Sequence, residues 1–272
     1  MRLRVGVGLW TGQGSDYRDA VPLAVAAEEA GFDSFWVTEH HSLPDGYLPA
    51  PLTLLAALAP VTARIALGTG LVLAPLHHPL RLAEDAAVVD RLSGGRLVLG
   101  LGLGYAEHEY RAFGVDPARR GGRLEALVGA LRTAWTGRPF CAPELGLYDV
   151  RVTPTPAHPV PIWLGGSSDK AFDRAARLGD GFIFFGGGTD HAVHAWDRVR
   201  DLVRAHGRPA DRFGGEYVVL PWGEIGELTA DIDAWQRAGG THASIVTMGR
   251  GLDSVDGHIH LLSTLADALD RP

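Results

Sequence analysis

Cysteine and lysine are nearly absent from this sequence, which has one of each, Cys141 and Lys170, in 272 residues. A single cysteine excludes an internal disulfide and is typical of a reducing compartment, so we expect a cytoplasmic protein. A single lysine leaves one candidate for Schiff-base chemistry, and it lies in a polar stretch. The composition therefore gives no support to a disulfide-stabilised fold and little to lysine-based covalent catalysis.

Long apolar runs and an excess of positive charge are also missing. No apolar run approaches the roughly 18 residues that a membrane-spanning helix needs, and the N-terminal stretch MRLRVGVGLW lacks the features of a signal peptide. The formal net charge is -7, so no basic surface is expected to attract nucleic acid or an anionic membrane. We therefore expect neither nucleic acid nor a membrane among the partners of this protein.

Short apolar runs alternate with segments of helical periodicity along the whole chain. One helix face, for example, runs from Ala20 to Ala30 and is followed by Gly31 as a C-terminal cap. Eight such strand-helix units predict a single-domain (β/α)8 TIM barrel of the α/β class over residues 1–272. The competing fold is a doubly wound sheet, but GLWTGQGSD matches no phosphate-binding fingerprint after the first strand. The predicted strands are RVGVGL, SFWVT, IALGTGLVL, RLVLGLGLG, VPIWLGG, GFIFFGG, GEYVVLP and HASIVTM.

The candidate site residues are those that follow the predicted strands, because TIM barrels place their chemistry at the carboxyl ends of the strands. The proline-rich segment 138–161 is predicted to be an irregular excursion between helix four and strand five. The strand-end residues are Trp10; Glu39, His40 and His41; Thr69 and Gly70; Gly102, Gly104 and Tyr105; Gly165, Gly166, Ser167 and Ser168; Gly186, Gly187 and Gly188; and Met248.

The segment TEHH, which ends at His41, is compatible with a polar loop, an acid/base group or a metal site. Adjacent strand residues point to opposite sides, so His40 and His41 cannot both face the barrel axis. His77 and His78 after the third strand could complete a metal site. The other predicted strand ends carry glycine and aromatic residues instead of further ligands, so we expect no bound metal.

Glycines at alternate positions of the fourth strand, Gly100 to Gly104, place no side chain on one face of that strand. A flat group could therefore approach the backbone there, and Thr69-Gly70 on the third strand would extend the same opening. The alternative is that these glycines make room for a bulky neighbour in the barrel wall. We favour the flat group because the glycines cluster on neighbouring strands.

Two glycine-rich loops each lead from a strand directly into a helix, one at Gly165 to Ser168 and the other at Gly186 to Thr189. Free backbone N–H groups at such helix starts bind anions, and two neighbouring loops could hold one phosphate. The alternative is that each loop is only a capped turn, with Ser168 and Thr189 as the caps. We favour the phosphate site because both loops are rich in glycine.

The chain resembles the bacterial luciferase-like monooxygenase family over nearly its whole length. The resemblance is carried by FWVTEHH, by IALGTGLVLAPLHHPLRLAEDAAVVDRLSGGRLVLGLGLGY, by EYRAFGVD, and by PVPIWLGGSS and RLGDGFIFF. It implies a (β/α)8 barrel that binds a reduced flavin, either FMN or the deazaflavin F420, at the carboxyl ends of the strands.

The same resemblance implies a role for each candidate site residue. His40 is implied to be the catalytic residue, beside the reactive edge of the isoalloxazine ring. A cis peptide bond is implied between Gly70 and Leu71. The implied ring contacts are Glu39, Thr69 and Gly70, with Gly102, Gly104 and Tyr105 opposite, and the implied phosphate contacts are Gly165, Gly166, Ser167, Gly186 and Gly187.

The implied activity is an FMN-dependent monooxygenase that uses O2 to oxygenate a small organic substrate. Reduced FMN would come from a separate NAD(P)H:flavin reductase, and a homodimer or other homo-oligomer is expected. The alternative on the same fold is hydride transfer with F420. Two further alternatives are a non-catalytic flavin-binding protein and a metal-dependent barrel hydrolase.

Light emission is not expected, since only about five residues separate YVVLP from the next helix, and Gly102 stands where light-emitting members carry a reactive cysteine. Tyr105 stands where the sugar-phosphate dehydrogenases that use F420 carry an acid. The EHH motif resembles the FMN branch of the family. The small size of the chain is instead typical of members that use F420. The cofactor is therefore left open between the two.

Overall fold

A computed structural model describes residues 2–9, 16–220, 223–247, 251–252 and 254–271. Two candidate strand-end residues, Trp10 and Met248, lie outside the described residues.

The strands are β1 (Arg4–Leu9), β2 (Ser34–Val37), β3 (Ala66–Thr69), β4 (Val72–Leu73), β5 (Leu97–Gly102), β6 (Phe140–Ala142), β7 (Leu147–Val150), β8 (Ile162–Gly165), β9 (Gly181–Phe185), β10 (Gly214–Val219) and β11 (His242–Val246). The helices are α1 (Ala20–Glu29), α2 (Pro51–Leu58), α3 (Pro79–Ser93), α4 (Glu107–Ala112), α5 (Arg120–Ala134), α6 (Asp169–Leu178), α7 (Gly188–Ala205), α8 (Ile225–Arg237) and α9 (Val255–Ala268).

A closed parallel barrel is formed by the main sheet, whose order is β3-β2-β1-β11-β10-β9-β8-β5-β4. β3 also pairs with β5, which closes the wall. β3 and β4 share one position in the wall, since both pair with β5 and they are separated by Gly70 and Leu71, whose peptide bond is cis. The predicted (β/α)8 barrel and the predicted cis bond are therefore both confirmed.

All eight predicted strands form, with ends that differ by a few residues from the predicted runs. The third is interrupted at the cis bond. The segment 138–161 is more regular than predicted, because it contains an antiparallel pair of short strands, β6 and β7, in a sheet separate from the barrel.

Two tryptophans occupy the lumen of the barrel. The ring centroids of Trp36 on β2 and Trp163 on β8 are 5.9 Å apart. A Cβ atom on Gly68 would meet the Trp36 ring at 2.2 Å, and one on Gly214 would meet the Trp163 ring at 2.3 Å. These two glycines are thus required by the packing of large side chains in the lumen.

The helices bury their apolar faces against the outer surface of the wall. Phe184 of β9, for example, packs its ring against Trp196 of α7 at a centroid distance of 6.0 Å and against Trp235 of α8 at 5.4 Å. Within the described part of the chain, no helix combines the length and apolar character that crossing a membrane requires.

Candidate active site

His40 and Glu109 form a hydrogen-bonded pair at the carboxyl end of the barrel. His40 follows β2, and Glu109 lies on α4, which follows β5. Nδ1 of His40 is 2.9 Å from Oε1 of Glu109, and the same oxygen accepts a hydrogen bond from the backbone N–H of His41 at 2.7 Å. This contact uses Nδ1 of His40, and among the described residues no hydrogen bond is found at its other ring nitrogen, Nε2.

Two tyrosine rings flank His40 at the mouth of the barrel. The ring centroid of His40 lies 4.9 Å from that of Tyr47 and 5.6 Å from that of Tyr105, both in edge-on contact. The Tyr105 side chain is exposed, whereas the side chain of His40 is only 18% exposed. Two of the predicted site residues, His40 and Tyr105, are thus neighbours. The imidazole is oriented by a carboxylate and still reachable, as a general acid or base must be.

Glu39 has a different environment from the one predicted for it. Its buried carboxylate accepts hydrogen bonds from the backbone N–H of Leu73 at 2.5 Å, from Nε2 of His77 at 2.8 Å and from Nε2 of His41 at 3.1 Å. Burial opposes ionisation, but the hydrogen bonds from His41, His77 and Leu73 prevail and lower the pKa of Glu39 to about 2. The expected contact of this side chain with the flavin ring stays a prediction, and these three hydrogen bonds weaken it. Its carboxylate anchors two histidines and the start of β4.

The cluster of Glu39, His41 and His77 also has the composition of a metal site, because one ligand atom from each lies within 4.8 Å of the others. The sequence suggested His77 as a possible third ligand, and the structure does bring it to His41. The two histidines both donate to one carboxylate oxygen, so the cluster is satisfied by hydrogen bonds alone. The expectation of no bound metal stays a prediction, which elemental analysis tests below.

Replacement of Glu39 by glutamine should destabilise the fold by about 3 kcal/mol at pH 7, because two histidines and one backbone N–H lose a buried ionised acceptor. The folded-state pKa lies below its ordinary value of 4.5, so the stabilisation is complete above that pH and is lost as the pH falls toward 2. Urea unfolding of both proteins at pH 7 and at pH 3.5 measures the difference, which should shrink at the lower pH. An equal loss at both pH values would mean that packing, not charge, is responsible.

Several strand-end residues near the cis bond make contacts within the barrel wall. The buried hydroxyl of Thr69 donates to the carbonyl oxygen of Gly100 and accepts from its N–H, both at 2.8 Å, so this side chain links β3 to β5. A Cβ atom on Gly102 would lie 2.8 Å from the Leu71 side chain, and one on Gly165 only 2.5 Å from it. The close approach of Leu71 supports the packing alternative at Gly102, and the contact of Gly102 with a flat ring stays a prediction. Gly165, a predicted phosphate contact, packs against the same side chain.

Two other glycines of the predicted ring site are better placed for a ligand. Gly70 lines a small cavity in the lumen below the mouth. Gly104 follows β5 with a φ of 75°, in the left-handed region that favours glycine, and leads directly to the exposed Tyr105. Their predicted contact with a cofactor stays a prediction.

The two predicted phosphate loops lie on neighbouring strands, since β8 pairs with β9. Gly165, Gly166 and Ser167 precede α6, whose start is capped by the Ser168 hydroxyl accepting from the N–H of Ala171. This loop therefore contains the capped turn of the alternative interpretation. The contact of the loop with a phosphate stays a prediction, and the cap weakens it.

The second loop has no such cap. The N-cap residue of α7 is Gly187, no side chain caps this helix, and Gly186, Gly187 and Gly188 all have φ between 75° and 79°. The hydroxyl of Thr189 instead donates to Asp231 at 2.6 Å. Among the described residues no side chain occupies the backbone N–H groups at this helix start, where an anion could bind.

A second cavity lies at the opposite end of the barrel. It has a volume of about 810 Å³, and its lining includes Arg4, Trp163, Arg212 and His242. Because TIM barrels carry out their chemistry at the carboxyl ends of the strands, this cavity is not part of the candidate active site.

Glu109 is the site residue that the sequence did not reveal. It lies in YAEHEY, seven residues after the end of β5, and two acids at the start of a short helix are usually explained by the helix dipole. The sequence does not show that the Glu109 side chain is buried, and without its burial the residue cannot be distinguished from an ordinary helix-start acid. The only available signal was its position just beyond a predicted strand end.

The family model of the luciferase-like monooxygenases matches residues 2–218. This chain belongs to that family. It is 28% identical over 281 residues to the 4-hydroxyprotoasukamycin monooxygenase of Streptomyces nodosus subsp. asukaensis, covering 98% of this chain and 72% of that protein. It is 35% identical over 177 residues to the F420-dependent glucose-6-phosphate dehydrogenase of Amycolatopsis mediterranei (strain U-32), covering 61% of this chain and 53% of that protein.

The fold is shared with the monooxygenase RslO1 from Streptomyces bottropensis, whose crystal structure superposes with a TM-score of 0.83 at 22% identity and covers 98% of each chain. The chain spans about half the length of the F420-dependent relative that it matches. Relatives of this luciferase-like chain are thus named for monooxygenation and for F420-dependent dehydrogenation.

Proposed function

We propose that this chain is a flavin-dependent oxidoreductase that binds reduced FMN at the carboxyl ends of its barrel strands and oxygenates a small organic substrate with O2. A separate NAD(P)H:flavin reductase would supply the reduced cofactor. The observation that carries this proposal is the His40–Glu109 pair, a partly exposed imidazole oriented by a buried carboxylate at the mouth.

The residues at the mouth fit a phosphate-bearing cofactor. A Cβ atom on Gly186 or Gly188 would meet no atom of the described residues within 4 Å, whereas one on Gly187 would meet the His191 ring at 2.7 Å, so the uncapped α7 start has space beside two of its three glycines. On the β2 and β5 side, His40 and the exposed Tyr105 border the mouth. Gly186, Gly187 and Gly188 would hold the phosphate, and Gly70, Gly104 and Tyr105 would border the ring. When bound, a reduced flavin supplies the electrons for the reaction.

His40 would hold or move the proton of the reaction at Nε2. Glu109 hydrogen bonds to the opposite ring nitrogen, Nδ1, which fixes the orientation of the imidazole and leaves Nε2 for the proton. Glu109 is therefore a positioning residue. Its second oxygen, Oε2, is buried and has no hydrogen-bond partner among the described residues, so this carboxylate is not saturated by the protein.

The alternative function is hydride transfer with F420 on the same mouth. It is supported by the F420-dependent relative, which is more identical to this chain over its aligned part than the monooxygenase relative is. The two functions place the same demand on His40 and on the phosphate loop. They differ in the cofactor and in the need for O2.

Titration of the purified chain with FMN, F420 and, under anaerobic conditions, reduced FMN tests the proposal, together with elemental analysis for zinc. Binding of FMN and F420 is followed by quenching of their own fluorescence, and binding of the non-fluorescent reduced FMN by quenching of protein tryptophan fluorescence. We expect reduced FMN to bind with micromolar affinity or better, zinc to be present well below one ion per chain, and O2 to be consumed only when reduced FMN is supplied. Tight binding of F420 without FMN would favour the alternative. One tightly held zinc per chain, required for activity, would contradict both and indicate a metal centre at Glu39, His41 and His77.

A further inference from the structure

Glu216 is an ionisable side chain inside the barrel. It lies on β10, is 1% exposed, and neither of its carboxyl oxygens has a hydrogen-bond partner among the described residues. Its Cα partners on the neighbouring strands are Ile183 of β9 and His242 of β11. A buried carboxyl group without a partner is costly, and such groups are rare in folded proteins. Its presence on an otherwise apolar strand therefore indicates a function or an additional ligand.

The surroundings of Glu216 favour its neutral form. Burial raises the pKa of Glu216 to about 8, and the hydroxyl of Ser244 opposes this rise without making a hydrogen bond of normal geometry. Of the two Cα partners of Glu216, His242 is titratable, and burial, with a smaller contribution from Arg4, lowers the pKa of that histidine to about 4. Both groups are thus uncharged at pH 7. A protonated carboxyl group carries one O–H donor as well as acceptor oxygens.

A small cavity lies next to Glu216, between the lumen and the mouth. Its polar lining residues are Glu216, Ser244 and Thr38, and the remaining ones are glycine, aliphatic or aromatic. The indole N–H of Trp36, which also lines it, is already bonded to Ser34. The space open to the centre of a water molecule is about 10 Å³, which is room for about one water. A buried water typically makes about three hydrogen bonds, and three polar side chains line this cavity.

We propose that Glu216, Ser244 and Thr38 bind one water molecule in this cavity, and that the water links the carboxyl group of Glu216 to the mouth of the barrel as a path for protons. The inference rests on the geometry of the lumen and does not depend on which cofactor the protein binds.

The outer end of this path is present in the structure. The hydroxyl oxygens of Thr38 and Tyr47 are 2.7 Å apart, and the Tyr47 ring is in edge-on contact with His40. A proton that leaves Glu216 passes to the water, the water passes one of its own to Thr38, and Thr38 passes one to Tyr47. Tyr47 then releases its own proton to an acceptor at the mouth. Each intermediate group gains and loses one proton, so the only net changes are a carboxylate at Glu216 and a proton at the mouth.

Infrared spectroscopy of the full chain at pH 7 tests the proposal, because a protonated carboxyl group has a C=O band that carboxylates lack. The parent protein, labelled with carbon-13 in its glutamate carboxyl groups, should show an acid band that shifts with the label. The band should be lost in Glu216→Gln. It should move to higher wavenumber in Thr38→Val and in Ser244→Ala, because each variant removes a hydrogen bond from the water that solvates the carboxyl group.

Ser93→Ala is the matched control. Ser93 is a buried serine outside the lumen whose hydroxyl donates to the carbonyl oxygen of Asp90, so its loss should leave the band in place. Three outcomes would overturn the proposal: no acid band in the labelled parent, an acid band that survives in Glu216→Gln, or a band that neither Thr38→Val nor Ser244→Ala moves. The labelled parent gives the first answer without any variant. If Glu216→Gln does not fold, Glu216→Asp replaces it, and the label-sensitive glutamate band should again be lost.

Discussion

Replacement of His40 by asparagine is expected to lower turnover by about 10²- to 10⁴-fold, which is what proton transfer by a positioned side chain contributes. Asparagine keeps part of the shape and some hydrogen bonding but has no titrating nitrogen. Cofactor affinity should change far less than turnover, because the proposed phosphate loop at Gly186 to Gly188 lies on other elements. Steady-state rates with the bound cofactor, together with its dissociation constant, measure the two effects separately.

His41→Asn is the matched control, since the neighbouring ring hydrogen bonds to Glu39 instead of Glu109. This variant should lose stability and retain most of its turnover. Glu109→Gln should lower turnover less than His40→Asn and should shift the pH profile of the rate, as expected of a residue that acts through the imidazole. Equal losses in the two histidine variants would contradict the separate roles and point to a shared ligand cluster.

Relative to the parent protein, the variant Glu216→Gln should be more stable at pH 8 than it is at pH 5. The folded-state pKa of Glu216 is about 8 and its ordinary value is 4.5, so the unfolded chain ionises first. The parent therefore loses stability as the pH rises from 4.5 to 8, by up to about 1.4 kcal/mol per pH unit, and no further above that range. Glutamine does not titrate, so the variant lacks this loss. The difference in unfolding free energy between variant and parent should grow by up to about 4 kcal/mol between pH 5 and pH 8.

Urea unfolding at both pH values measures this growth. Glu144→Gln, at an exposed glutamate, is the control and should show no such growth. A difference between Glu216→Gln and the parent that is equal at pH 5 and pH 8 would show that Glu216 is ionised in the folded protein.

The barrel could be predicted from the sequence because its strands are nearly continuous apolar runs. RVGVGL and GFIFF, for example, are buried on both faces, and their β-branched, aliphatic and aromatic residues exclude a surface segment. The break in the third strand needed the family resemblance, since IALGTGLVL has the composition of a single strand.

The roles of individual glycines and acids could not be predicted in the same way. Gly102 looks like part of an opening in the sequence, but a Cβ atom there would lie 2.8 Å from the side chain of Leu71, which follows the cis bond. The roles of Glu109 and Glu216 follow from the burial of their side chains, and burial is decided by the packing of the whole barrel. The run GEYVVLP does indicate an unusual residue, since it places an acid, Glu216, inside an apolar strand. The structure was needed to find that this acid has no hydrogen-bond partner among the described residues.

The binding of a phosphate-bearing cofactor at the start of α7 is the central claim, and the affinity of Gly186→Asp for the cofactor tests it most directly. Gly186 has a φ of 75° and open space beside it, and aspartate and asparagine tolerate this conformation better than most residues. The aspartate carboxylate would repel the phosphate, so we expect affinity to fall by roughly tenfold or more, or about 1.4 kcal/mol. The uncharged Gly186→Asn should bind nearly as well as the parent. Equal affinities for the parent and both variants would contradict the claim and place the cofactor elsewhere.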